Sequence, residues 1–263
     1  MSATTRTLLI VGDRFVGFAA QEDVLTVTQF IEEMRLGVYS WDAQPIQVRA
    51  GQGVTADAWE VVYEQALLLG LASRLDFHYE EPLLAARGEA HKHRSSNTLI
   101  ADLRRAEETL FTANLRVHND NELLIDHQTG EHVQGMVAVE TARQMFLAVS
   151  ERYHASRHLE RSYYYVIESM NTDFENFLFP LDATIEYRTL RAETDNPGRL
   201  SFAAEISVHQ AGRRASVTTV TYTAFDARVI EAKEHRRARF AVEHAVRTDS
   251  AAVPVDAPVL VGA

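Results

Sequence analysis

Asp126, His127, Glu131 and His132 crowd one polar loop, Gly135 closes it, and the apolar run from Val137 to Val149 then carries a single carboxylate, Glu140. Apolar residues on nearly every face mark that run as a buried helix. A carboxylate there is costly unless it is paired, protonated or used in chemistry. Burial raises the pKa of a lone carboxyl, which would bring Glu140 toward the range of a general base or acid. His127 and His132 lie on the side from which protons could be exchanged with it. Backbone N–H groups at the helix start, on Gly135 and Met136, could polarise a carbonyl, and glycine lets a substrate approach the backbone closely. Glu140 follows Gly135 by just over one helical turn, within reach of a group held at that start.

Plainer readings stand beside these. Glu140 and Arg143 are three apart and can form an ordinary ion pair that leaves Glu140 a helper. His127 can hydrogen-bond a loop carbonyl, and His132 can cap or pack. Asp126, His127, Glu131 and His132 together resemble a set of metal ligands, but their spacing matches no zinc motif, and no metal is expected. His91-Lys92-His93-Arg94 could grip a phosphate or lie in solvent. Gly51-Gln52-Gly53-Val54-Thr55-Ala56-Asp57 has the setting of a phosphate-binding turn without its third glycine or lysine, and Thr55 and Asp57 account for it as helix-capping residues.

The run His132-Val133-Gln134-Gly135-Met136, then Glu140-Thr141-Ala142-Arg143-Gln144, with Asn97-Thr98-Leu99-Ile100 and His91-Lys92 upstream, resembles the A-factor biosynthesis hotdog family. The similarity extends from about Gly88 to Phe225. Gln134 departs from the pattern, standing where a proline commonly precedes the glycine, and one such helix is found where family members usually carry two units. The resemblance implies an acyltransferase that moves a β-ketoacyl group from an acyl-carrier-protein or coenzyme A thioester to a hydroxyl acceptor similar to dihydroxyacetone phosphate. Butyrolactone-type signals or related metabolites would be the products. On that reading Glu140, His127 and His132 are catalytic, and Gly135, Met136, Arg143, His91 and Lys92 bind substrate. The phosphopantetheine-linked thioester is substrate, and no bound cofactor is expected. A dehydratase or thioesterase acting on an acyl thioester is an alternative, as is a non-catalytic module that binds an acyl ligand or dimerises. An open sheet edge implies a homodimer under all three.

Composition narrows the classes further. A chain of 263 residues holds one large or two modest domains, and 46% hydrophobic content supplies a core. The absence of cysteine excludes disulfides and thiolate chemistry. A net charge of −11 argues against nucleic acid as partner. No apolar run approaches about twenty residues, so no membrane span is expected. The first residues lack signal-peptide architecture, which points to the cytoplasm.

The elements that must position these residues follow from periodicity. Residues 1–81 read as a small α/β domain in βαβαβ order: strands at Thr7 to Val11 or on to Phe18, at Pro45 to Arg49 and at Leu75 to Tyr79, with helices from Val24 to Leu36 and from Ala56 to Ser73. Residues 82–96 read as a linker. Residues 97–247 read as α+β, a single hotdog domain in which an antiparallel sheet wraps a long central helix. Its strands run from Thr98 to Arg104, Thr109 to Val117, Tyr163 to Ser169, Ala183 to Leu190, Leu200 to Gln210 and Ser216 to Phe225. Asp226 is expected to cap a charged helix reaching Glu243, with Ala227, Ile230, Phe240 and Val242 as apolar contacts. Residues 248–263 read as a disordered tail.

Overall fold

The computed structural model describes residues 6–41, 45–125 and 130–250, and the chain folds around two sheets. The first is parallel. Strand β1 (Thr7–Val11) pairs with β2 (Val24–Thr26) on one side. After helix α1 (Val27–Arg35) the chain returns on the other side as β3 (Ile46–Ala50), and helix α2 (Ala56–Leu68) leads on to β4 (Leu75–His78). Leu8, Ile10 and Val48 of the strands pack with Phe30 and Met34 of α1 and with Trp59 and Val62 of α2. Side chains alternate across a strand, so both helices cover the same face of this sheet.

Three details depart from the sequence reading. The chain leaves β1 at Gly12 in two short 3-10 turns, so the strand does not approach Phe18. Val24 to Thr26 is a strand instead of the first helical turn. Thr26 decides this: its hydroxyl accepts from the Gln29 N–H at 3.2 Å while the Gln29 side chain accepts from the Thr26 N–H at 2.9 Å. This capping box fixes the start of α1 at Val27. The parallel unit therefore has four strands, in the order β2-β1-β3-β4. Helix α2 also stops short of Ser73, because Gly70 takes a φ of +72° and turns the chain out of the helix.

A short helix, α3 (Arg87–Ala90), precedes the second sheet, which is antiparallel. Strands β5 (Ile100–Arg105) and β6 (Leu110–Leu115) come first, followed by the short helix α4 (Glu122–Ile125) and by α5 (Gly135–Tyr153). Strands β7 (Tyr163–Phe174), β8 (Thr184–Glu193), β9 (Arg199–Gln210) and β10 (Arg213–Asp226) complete it in the spatial order β5-β6-β8-β9-β10-β7. Met145, Phe146 and Val149 of α5 are buried with Phe111, Ile185, Phe202 and Tyr222 of the sheet. The Phe146 and Tyr222 rings stack at 4.3 Å. Three buried hydroxyls find partners in this core, since Tyr222 meets Ser150 at 2.8 Å and Tyr187 at 3.0 Å.

The stretch that composition reads as a linker is tied down. Ala85 and Ala90 are buried, Leu84 bridges Ala101, and Glu89 of α3 pairs with Arg152 of α5 through contacts of 2.6 and 2.7 Å. The two sheets are joined at Gln52, whose side chain is buried. Its amide oxygen accepts from the Val117 N–H at 2.6 Å, and its amide nitrogen donates to the carbonyls of Leu115 and Leu181 at 3.0 and 3.3 Å. At the C-terminal end Asp226 caps α6 (Ala227–Ser250), accepting from the Arg228 N–H at 3.2 Å. Ala227 and Ile230 are half-buried, but from residue 231 to 247 every residue is exposed, Phe240 and Val242 included. The expected contacts of those two are not made, because the helix leaves the body after its first turns. The tail beyond residue 250 lies outside the described residues. Among them no helix is long and apolar enough to cross a membrane.

Candidate active site

The start of α5 is fixed from both sides. The Val133 N–H donates to the Leu178 carbonyl at 2.7 Å, and the Gln134 amide donates to the Leu123 carbonyl. Gln134 itself has extended backbone angles, φ −59° and ψ 146°, so the helix begins at Gly135. Its side chain supplies by hydrogen bonding the fixed entry that a proline would supply by ring geometry. Gly135 and Met136 are exposed, and the ring of Phe174 at the end of β7 lies against Gly135, where a Cβ would stand 2.9 Å from it. The first N–H groups of a helix have no intrahelical acceptor, and here they emerge beside exposed Met136 and Phe174.

One turn further on, three side chains converge on Glu140. Lys92 Nζ lies 2.6 Å from Oε1. Arg143 places Nε 2.7 Å from Oε2 and an Nη 2.9 Å from Oε1. Gln144 Nε2 donates to Oε1 at 3.0 Å. Burial alone would raise the Glu140 pKa, but the hydrogen bonds from Arg143, Lys92 and Gln144 outweigh it and hold the carboxyl down to about 2. The raised pKa expected from a lone buried carboxylate is thereby corrected: Glu140 is ionised at neutral pH and weakly basic. Gln144 is fully buried and stitches three elements together, accepting from the Leu99 N–H at 2.8 Å and donating to the Asn97 carbonyl at 2.8 Å. Gln144 does not titrate, so its one signal in the sequence is a glutamine inside an apolar helix, which calls for a polar partner.

The other candidates separate. His91 takes a left-handed φ of +50° and turns its Nε2 to Glu151 Oε1 at 2.9 Å, with its ring edge-on to Tyr165. Arg94 pairs with Glu122. Of the four-residue basic run, Lys92 alone reaches Glu140. His132 is half-buried with its ring 4.9 Å from that of Phe177. Glu131 accepts from the Gln21 amide at 2.8 Å. Asp126 and His127 lie outside the described residues. In the parallel unit Thr55 caps α2 by accepting from the Ala58 N–H at 3.2 Å, and Gly53, with φ +83°, packs directly on Gly12. The glycines of that turn serve close packing of backbone on backbone. The Tyr163-Tyr164-Tyr165 run alternates as a strand must, with Tyr164 exposed and its neighbours turned inward.

A model of the A-factor biosynthesis hotdog domain matches residues 76–226. No curated protein matches the chain. Among solved structures, a mutant thioesterase from Pseudomonas aeruginosa is 16% identical with a TM-score of 0.35, the match covering 48% of this chain and 81% of the other. A thioesterase from Haemophilus influenzae is 15% identical with a TM-score of 0.35, covering 48% and 78%. A probable thioesterase from Escherichia coli is 11% identical with a TM-score of 0.34, covering 46% and 85%.

Proposed function

We propose, from the premise that this chain belongs to the A-factor biosynthesis hotdog domain family, that it is a cytoplasmic acyltransferase. It moves a β-ketoacyl group from a carrier-protein or coenzyme A thioester to the hydroxyl of a small acceptor like dihydroxyacetone phosphate, toward a butyrolactone-type signal or related metabolite. The observation that carries this reading is the convergence of Lys92 and Arg143 on Glu140, one turn beyond the exposed start of α5.

In this mechanism the N–H groups of Gly135 and Met136 polarise the thioester carbonyl and hold the oxyanion that forms on it. The acceptor oxygen attacks the carbonyl carbon. A new C–O bond forms, the C–S bond breaks, and the departing thiolate takes the proton that the hydroxyl gives up. A carboxylate held near pKa 2 is a poor base for that proton. The relay is therefore assigned to the loop imidazoles His132 and His127. Glu140 instead positions Lys92 and Arg143, whose remaining N–H groups receive the phosphate of the acceptor or of the phosphopantetheine arm. His91, turned to Glu151, supports the segment that delivers Lys92.

The acting unit on this proposal is a homodimer. Among the described residues strand β7 is hydrogen-bonded on one side alone, to β10, and leaves twelve residues of open edge with Tyr164 and Ile167 exposed.

Mass spectrometry of the purified chain with a β-ketoacyl thioester, with and without dihydroxyacetone phosphate, tests the reading beside the Glu140→Gln variant. An acyl ester that needs the acceptor and is lost in the variant supports it. Free acid formed without acceptor points to a thioesterase, and an enoyl thioester formed from a β-hydroxyacyl thioester run in parallel points to a dehydratase; both thioesters intact in every tube removes the enzymatic reading.

A further inference from the structure

A cleft of about 970 Å³ opens between the two sheets, on the side of the antiparallel sheet opposite α5. Its upper wall is the face of the parallel sheet that α1 and α2 leave bare, where Arg49 and His78 alternate with the buried Val48 and the half-buried Phe77. Its lower wall is the outer face of the antiparallel sheet, with Asn114, Thr184 and His209 alternating with the inward Ala113, Ile185 and Val208. Gln52 and the adjoining Gly53–His118 bridge close one end. None of this surface is used by the proposed acyl transfer.

Seven charged side chains line the cleft, and among the described residues no ion pair involves any of them. Arg49, Arg104 and Arg116 are the cations. Arg116 is half-buried, and burial pushes its pKa down. Its guanidinium donates to the carbonyls of Val54 and Val117, with no carboxylate in contact. A desolvated cation left without a counter-charge is a standing cost that an anion would relieve. Glu80, Glu81, Asp102 and Asp182 are the anions. Asp102 holds a left-handed φ of +54° at a β-bulge, and its carboxylate is aimed by the Leu83 N–H and the Asn114 amide, each at 3.1 Å. Strained, non-glycine backbone of this kind persists where surroundings enforce it, and it gathers at ligand sites.

We propose that this cleft is a second ligand site, taking a phosphate monoester of a hydroxyl-rich small molecule. The phosphate sits against Arg116 and Arg49, and the hydroxyls donate to Asp102 and its neighbouring carboxylates. The unpaired charges of both signs select this class, since a purely anionic ligand would meet four carboxylates and a neutral one would leave the arginines uncompensated. The volume accommodates a sugar phosphate or a nucleoside monophosphate.

Isothermal titration of the full chain with ribose 5-phosphate, adenosine monophosphate, inorganic phosphate and ribose tests this. At least one of the two esters should bind with a dissociation constant of about 1 mM or tighter, and at least about 5-fold more tightly than inorganic phosphate. Arg49→Ala removes an exposed side chain, so the fold is kept, and it should weaken ester binding about 5-fold, with Arg116→Gln weakening it further. Glu140→Gln should leave this binding unchanged whether or not acyl transfer is lost. Absence of ester binding, equal binding of inorganic phosphate, or binding sensitive to Glu140→Gln and indifferent to Arg49→Ala overturns the proposal.

Discussion

Arg143 grips Glu140 with a fork: Nε stands 2.7 Å from one carboxylate oxygen and an Nη 2.9 Å from the other, across a single helical turn. With Lys92 on the same carboxylate, two cations share one anion in a site whose side chains are only 18–28% exposed. The geometry turns Glu140 from a proton acceptor into a fixed charge that sets the direction of two others.

Glu140→Gln keeps the shape and removes the charge. Two half-buried cations then lose their partner, and the variant should be less stable by about 1–3 kcal/mol, below the cost of breaking a fully buried pair because these groups see some solvent. Urea unfolding of both proteins at pH 7 measures it. An unchanged midpoint would show that the cluster contributes nothing to folding.

Acid should erase that difference. The native carboxyl takes up its proton at about 2, against an ordinary value of 4.5 for the unfolded chain. Between those values unfolding binds a proton, so the Glu140 contribution is complete above about pH 4.5 and fades as pH falls toward 2. Unfolding midpoints of wild type and Glu140→Gln should converge over that window.

His154 gives the pH dependence at a higher range. Burial, with Arg157 and Arg105 nearby, lowers its pKa from 6.5 to about 4, and its buried Nδ1 has no hydrogen-bond partner among the described residues. The unfolded chain binds this proton first, so the stabilisation is full above about pH 6.5 and declines as pH falls toward 4. His154→Leu should flatten the wild-type loss of stability between those pH values. Parallel curves for the two proteins would remove His154 as the cause.

Two glycines should respond oppositely to alanine. At Gly12 a Cβ would lie 2.8 Å from Gly53 Cα and 2.7 Å from Asn119 Oδ1, and the backbone has nowhere to go. Gly12→Ala should cost about 2 kcal/mol or more. At Gly135 the obstacle is the ring of Phe174, which is 58% exposed and free to swing. Gly135→Ala should therefore shift stability by less than about 1 kcal/mol, while its methyl crowds the helix start and slows acyl transfer about 10-fold. Thermal unfolding and the transfer assay together separate the two cases.

The Gln52 side chain adds to the main-chain bonds that join the two units, from the Gly53 N–H to the Val117 carbonyl at 2.8 Å and from the Gln52 N–H to the Pro180 carbonyl at 3.0 Å. Gln52→Ala strips partners from the Val117 N–H and from two carbonyls, a loss of about 2–4 kcal/mol if water does not replace them. Hydrogen exchange at Val117 should quicken well beyond that of the core strands. Protection equal to wild type would mean that the sheets are joined by other contacts.

Local pattern carried much of this protein into view. The apolar helix with its one glutamate, the glycine that begins it, and the family motif are short-range features, so sequence alone identified α5 and the family. Alternation and turn residues likewise placed the long strands, because the two-residue period of a strand is written in the chain itself. The three-residue β2 was missed for the complementary reason: three residues are too few to show a period, and the Thr26–Gln29 capping box had to decide.

What tertiary structure alone decided is which groups meet. Burial of Glu140 was legible, and burial by itself predicts a raised pKa; the observed direction is the reverse because Lys92, distant in sequence, arrives beside Arg143 and Gln144. The pairing of His91 with Glu151, the Gln52 joint and the charged cleft between the sheets depend on the same kind of encounter. Hydrogen bonds and Coulomb interactions act over a few ångströms of space, and separation along the chain does not encode those distances.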